Sequence, residues 1–133
     1  LINYRCGTGH SVSFVGNVHE GPHALNSRNT TRMRPGMVVT DEPGVYETDL
    51  VGIRIENELV CVHKADNQYG TFLGFEPIMF VPIATSPIVP GVLTKDELDW
   101  LNNYHRQVFE KLAPRLNDEE REWLAKKCAA IGC

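Results

Sequence analysis

Apolar and polar positions alternate from Val51 to His63. Val51, Ile53, Ile55, Leu59 and Cys61 fall on one side, with Asn57 as the exception, and Arg54, Glu56 and Glu58 fall on the other. Successive side chains of a β-strand leave opposite faces, so this period of two predicts a strand with one buried and one polar side. Met37, Val38, Val39 and Thr40 form a second β-prone run. It follows the turn residues Pro35-Gly36 and is interrupted by Pro43-Gly44. A third apolar run, from Phe72 to Ile83, is broken by Pro77 and Pro82. Proline cannot donate to a strand ladder, so this run is expected to kink or to lie partly at a sheet edge.

After residue 93 the period changes. Thr94 followed by Glu97 has the spacing of a capping box, and Leu98, Leu101, Tyr104 or His105, Val108 and Leu112 recur at helical spacing. Pro114 should end that helix. Asn117 followed by Glu120 repeats the cap signal, and Trp123, Leu124, Ala130 and Ile131 predict a second, shorter amphipathic helix. The chain thus reads as α+β. A strand-rich part (1–92) and a helical tail (93–133) are joined by the proline-rich crossing Pro82 to Pro90, within one domain of residues 1–133.

Composition narrows the function more than the fold. A length of 133 residues can bury one core without disulfide staples. The net charge of -4 gives no support to a nucleic-acid or anionic-membrane surface, which would need clustered basic residues. No apolar run approaches the ~20 residues needed to span a bilayer, and no secretory leader pattern is present. Cys6, Cys61, Cys128 and Cys133 form no CxxC pair, so reduced thiols in a cytoplasmic protein are expected. The chain opens on Leu1 rather than methionine, which suggests a piece of something longer.

The candidate chemistry lies in carboxylates and imidazoles. Glu42 ends one predicted strand, and Glu56 lies on the polar face of the next. Neighbouring antiparallel strands bring opposed side chains within a few ångströms. A histidine from the glycine-bearing stretch GTGHSVSFVGNVHEG (residues 7–21) would complete a mixed nitrogen and oxygen set suited to Mn²⁺, Zn²⁺, Co²⁺ or Fe²⁺ rather than Ca²⁺. On spacing alone, a glutamate on an alternating strand is more often a solvated face. Cys6-x3-His10 and Cys61-x-His63 lack the second half that a structural zinc site requires.

Three ordered motifs add to this: GTGHSVSFVGNVHEGP, GMVVTDEPGVYE and GIRIENELV. Together they resemble the second half of the catalytic domain of Xaa-Pro aminopeptidases, proline-specific metallopeptidases with the pita-bread fold. FEPIMFVPI and LTKDELDWLNNYHRQVFEKL look like the tail of the cytosolic three-domain type. The resemblance covers nearly the whole chain. It implies the C-terminal half of a pita-bread fold, an antiparallel curved sheet with helices and a helical tail.

It also implies two adjacent divalent metal ions, with Mn²⁺ first in line and Zn²⁺ or Co²⁺ as alternatives. In the family two aspartates, one histidine and two glutamates hold them. The GTGH histidine falls on His10 and the DEPG glutamate on Glu42, both metal ligands; the RIEN glutamate falls on Glu56, a bridging ligand. The histidine of NVHEG falls on His19, which would face the scissile carbonyl as a catalytic group, while Glu42 would also shuttle the proton. Arg54, two residues from Glu56 on the same strand face, is expected to orient carboxylates around the metals, with a plain surface arginine as the alternative. Where the family usually has an outer histidine shaping the proline pocket, this chain has Cys6, and Ser11 and Ser13 replace glycines.

Both aspartates precede the GTGH motif in the family and are absent here, so the isolated chain is expected to be metal-poor and inactive. The implied substrates are peptides with proline in second position. The implied partners are the missing N-terminal half and, for the parent, a second copy in a homodimer. Trp100, Leu101, Tyr104 and Val108 are candidates for that interface, with packing onto the chain's own sheet as the alternative. The competing functions are a prolidase-like dipeptidase and a non-catalytic pita-bread module for binding or dimerisation.

Overall fold

A computed structural model describes residues 6–132, so Cys133 lies outside the described residues. Two compact units are present, Leu1–Met79 and Phe80–Cys133. The first holds all five strands: β1 (Val38–Asp41), β2 (Gly44–Glu47), β3 (Val51–Arg54), β4 (Asn57–Asn67) and β5 (Gly70–Pro77). β1, β4 and β5 form one antiparallel sheet in the order β1-β4-β5, and β2 pairs with β3 in a second.

The two sheets share one register. Asp41 pairs with Asn57 at the end of the first, and Gly44 pairs with Arg54 at the start of the second. They are two stretches of one long hairpin, with β1 and β2 on one limb and β3 and β4 on the other, interrupted where Pro43 lacks an N–H and Ile55 N–H donates to its carbonyl over 3.3 Å. The interruption corrects the expectation of one strand from Val51 to His63: the alternating run is split at Ile55-Glu56. It also corrects the expected burial. Cys61 is buried on β4, but Val51, Ile53 and Ile55 are exposed, because β3 has only β2 as a paired neighbour. β5 is a sheet edge and ends at Pro77, in line with the expectation from the proline-broken run.

The hairpin turn at Thr48–Leu50 places Asp49 at φ 59°, a left-handed conformation that aspartate tolerates better than bulkier residues do. At the other turn, Gly70 takes φ 129°, where a side chain would be strained.

In the second unit α1 (Lys95–Leu112) starts at a complete capping box formed by Thr94 and Glu97. It gives way to a 3-10 turn, Ala113–Arg115, containing Pro114. α2 (Asp118–Lys127) starts at a second complete box, formed by Asn117 and Glu120. α2 stops before Ala130 and Ile131, shorter than the apolar pattern predicted. Asn102 of α1 instead holds the backbone of Ile131, donating to its carbonyl at 3.0 Å and accepting from its N–H at 2.9 Å.

Tyr104, Val108, Ala113 and Leu124 form the core, with Phe80, Ile83, Phe109, Leu112, Leu116 and Cys128 packed around it. Val108 and Leu124 are fully buried, each contributing roughly 1.5–3 kcal/mol of transfer free energy. The proposed intersubunit residues are thus mostly committed: Leu101, Tyr104 and Val108 are buried within their own unit, and only Trp100 remains exposed, stacked on Tyr104 at 5.7 Å. No described helix is long and apolar enough to cross a membrane.

Candidate metal centre

Thr8–Ser11 is drawn in beside β1. Thr40 N–H donates to the His10 carbonyl at 2.9 Å, and Glu42 N–H to the Thr8 carbonyl at 2.7 Å. On its other side the segment is held by Leu25 N–H to Gly9 and by Ser11 N–H to His23. Gly9 has to be glycine. A Cβ there would come within 2.1 Å of the Thr40 carbonyl oxygen, a distance no packing tolerates. The second glycine of the GTGH motif therefore exists to let His10 approach the strand that leads to Glu42.

Glu42 lies one residue past β1 and is 7 % exposed. Burying a carboxylate is costly unless it is paired and hydrogen-bonded. Here Thr40 Oγ1 donates to Oε1 at 2.9 Å, Arg54 Nη1 donates to Oε2 at 2.5 Å, and His10 Nε2 lies 3.0 Å from Oε1. Tyr46 underlies the Arg54 guanidinium, 5.6 Å from its ring centroid.

The protonation pattern of His10 is informative. Its Nδ1 lies 2.9 Å from the Ser11 carbonyl oxygen, which can only accept, so Nδ1 carries a proton. A neutral His10 then turns a bare Nε2 lone pair toward a carboxylate oxygen. Two acceptors stay this close around either a second proton on the ring or a cation. Ligand bonds of about 2.1 Å at right angles separate neighbouring donor atoms by roughly 3 Å, so the Nε2···Oε1 spacing fits a divalent ion held by both.

The other candidate residues are placed as follows. The His19 ring stacks edge-on against His10 with centroids 3.9 Å apart, and its side chain is exposed. Glu56 lies in the break between β3 and β4; continuing the hairpin register by one step sets it opposite Glu42. It is exposed whereas Glu42 is buried, and among the described residues no three histidine, cysteine, aspartate or glutamate side chains form a ready-made cation cluster. Cys6 is exposed, Cys61 buried and Cys128 half-buried, each with a free thiol. Thr40 and His23 were missed in the sequence. His23 is buried and donates from Nε2 to the Val38 carbonyl at 2.7 Å, bracing β1 from the loop side. The spacing T-x-E was the available signal for Thr40, since residues two apart on a strand share a face.

With this geometry in view, the chain can be set beside known proteins. The profile of metallopeptidase family M24 matches residues 2–63, and that of the C-terminal region of peptidase M24 matches residues 71–131. The chain belongs to metallopeptidase family M24. Among curated relatives, Aminopeptidase P2 of Arabidopsis thaliana is 45% identical over 130 residues, covering 92% of this chain and 18% of the relative. A probable Xaa-Pro aminopeptidase P of Coprinopsis cinerea is 41% identical, covering 98% and 22%. The crystal structure of X-prolyl aminopeptidase from Caenorhabditis elegans, a cytosolic enzyme with a di-nuclear active site, superposes with a TM-score of 0.81 at 39% identity. That match covers 94% of this chain and 21% of the worm chain. The chain therefore has the α+β pita-bread architecture of this M24 group and spans about a fifth of the length of the relatives it matches.

Proposed function

We propose that this chain is the C-terminal portion of the catalytic domain of an Xaa-Pro aminopeptidase, which removes the first residue from peptides with proline in second position. The observation that carries the proposal is the facing pair of His10 Nε2 and Glu42 Oε1, two donor atoms 3.0 Å apart with a second carboxylate, Glu56, opposite in register. His10, Glu42 and Glu56 would hold two divalent ions, Mn²⁺ by preference. Such ions would supply a water acidified toward neutrality and a Lewis acid for the carbonyl.

The chain's own residues account for the rest. Arg54 sets one oxygen of Glu42 and leaves the other facing His10, and the carboxylate held in this way would take up and return the proton of the reacting water. The His19 ring, exposed on the edge of His10, donates a hydrogen bond to the oxygen on which charge develops, worth about 100-fold or more in rate. Cys6 lines the proline pocket with a thiol, a weaker hydrogen-bonding group than imidazole.

The whole chain functions as one part of that catalytic domain, in a cytoplasmic, homodimeric parent. Alone it is metal-poor and inactive, since two aspartate ligands belong to an upstream segment. The exposed apolar face formed by Val45, Val51, Ile53 and Ile55 supports a missing covering element of the same protein. The decisive experiment is hydrolysis of an Xaa-Pro peptide in Mn²⁺ by the chain alone and after addition of the upstream portion. Turnover only in the mixture, abolished by Glu42→Gln, is expected. Turnover by the chain alone, or none in a mixture shown to associate, overturns the reading.

A further inference from the structure

Thr40 is 2 % exposed, and its hydroxyl is engaged on both sides. The backbone N–H of His10 donates to Oγ1 at 3.0 Å, and Oγ1 donates to Oε1 of Glu42 at 2.9 Å. A hydroxyl owns one proton. With a backbone N–H already pointing at its oxygen, that proton is directed to the carboxylate. The second carboxylate oxygen is held by Arg54 at 2.5 Å. Two donors on two oxygens fix the plane of the carboxyl group about its last torsion, which is otherwise broad and soft. Of Oε1, the direction left over is the one facing His10 Nε2. One oxygen atom thus references both the main chain that carries the imidazole and the tip of the opposing glutamate.

The ladder does not need this hydroxyl. Thr40 already pairs with Glu58 through its backbone and donates its N–H to the His10 carbonyl. Valine has the same branched shape, suits a strand as well, and occupies the two preceding positions, Val38 and Val39. Strand packing therefore leaves the oxygen of Thr40 unexplained, whereas the alignment of Glu42 accounts for it.

We infer that Thr40 is a positioning residue of the cation site, setting the angle at which Glu42 meets an ion held jointly with His10. The inference rests on the reading of His10 and Glu42 as ligands given above. It is tested by titrating Mn²⁺ into the chain carrying isotope-labelled histidine and following paramagnetic broadening of the His10 ring signals, a readout that registers weak binding and needs no turnover. Thr40→Val, Thr40→Ser and Glu42→Gln are compared, with a thermal melt of each.

The apparent affinity should fall about 10- to 100-fold in Thr40→Val, as for other groups that orient a metal ligand, and return in Thr40→Ser. A folded Thr40→Val with wild-type broadening, while Glu42→Gln loses it, leaves the ligand reading standing and removes Thr40 from it. If the wild type shows no broadening at His10, or Glu42→Gln keeps it, the ligand reading fails and this inference fails with it. Should Thr40→Val not fold, Thr40→Ala carries the same two outcomes.

Discussion

The two units bury different balances of apolar and polar side chains. Between Phe80 and Gly132 the core is built of Tyr104, Val108, Ala113 and Leu124, closed at each helix start by a reciprocal cap. Among the described residues of the strand unit the buried hydrophobic ones are Val39 and Cys61, and they share the interior with Ser11, His23, Thr40 and Glu42. Meanwhile Phe14, Val15, Leu50, Ile53 and Phe72 are left exposed. One unit is organised by apolar contact, which is tolerant of small shifts. The other is organised by hydrogen bonds around a carboxylate, where the loss of one partner strands another. Site-bearing architecture here is the less self-sufficient of the two.

That contrast can be broken most forcefully at Gly9. Gly9→Ala drives a methyl into the Thr40 carbonyl, so a loss of roughly 4 kcal/mol or more is expected. Amide exchange should rise across β1 and β4 and stay slow in α1. On the helical side, Leu124→Ala should cost about 2–5 kcal/mol by opening a cavity, read from the helical circular-dichroism melt, with the strand amides unchanged. Asn117→Ala removes one cap and should lower the same melt by about 1 kcal/mol.

The gentlest test uses acid. His105 is fully buried and accepts a hydrogen bond from Ile83 N–H at Nε2, so its proton sits on Nδ1, buried without a hydrogen-bond partner. Burial pushes its pKa below the ordinary histidine value. The unfolded chain then binds the extra proton first. Stability of the helical unit is therefore full above the unfolded pKa near 6.5 and declines as pH falls through it toward the lowered folded value. Melts of the wild type and His105→Phe between these limits should show the acid sensitivity only in the former.

The sequence made the helices nearly transparent, because capping boxes and periodicity are local. Thr94, Glu97, Asn117 and Glu120 each do what their spacing implied. The strands were legible as runs but not as partners. Nothing between Val51 and His63 announces that the pattern breaks at Ile55-Glu56, because the break is imposed by Pro43 on the opposite limb. Of the site, the approach of His10 to Glu42 follows from the motifs, and the opposition of Glu42 to Glu56 from strand pairing. The role of Thr40 depends on where a single hydroxyl proton points, which no spacing encodes. The tail's aromatic stripe was misleading for a related reason: Tyr104 and Val108 look like an outward face until Phe80 and Ile83 pack against the cluster they belong to.

The turn at Thr48–Leu50 has a wider reach than its size suggests. Because one register runs through both limbs and across the kink, the number of residues in that bend acts as a ruler, deciding which amino acid arrives across from Glu42. Deleting one residue there would carry Arg54 or Glu56 out of alignment while leaving every donor atom in the sequence. The geometry of the centre is thus calibrated at a distant corner, and loop length there is under tighter constraint than the identity of the loop's side chains.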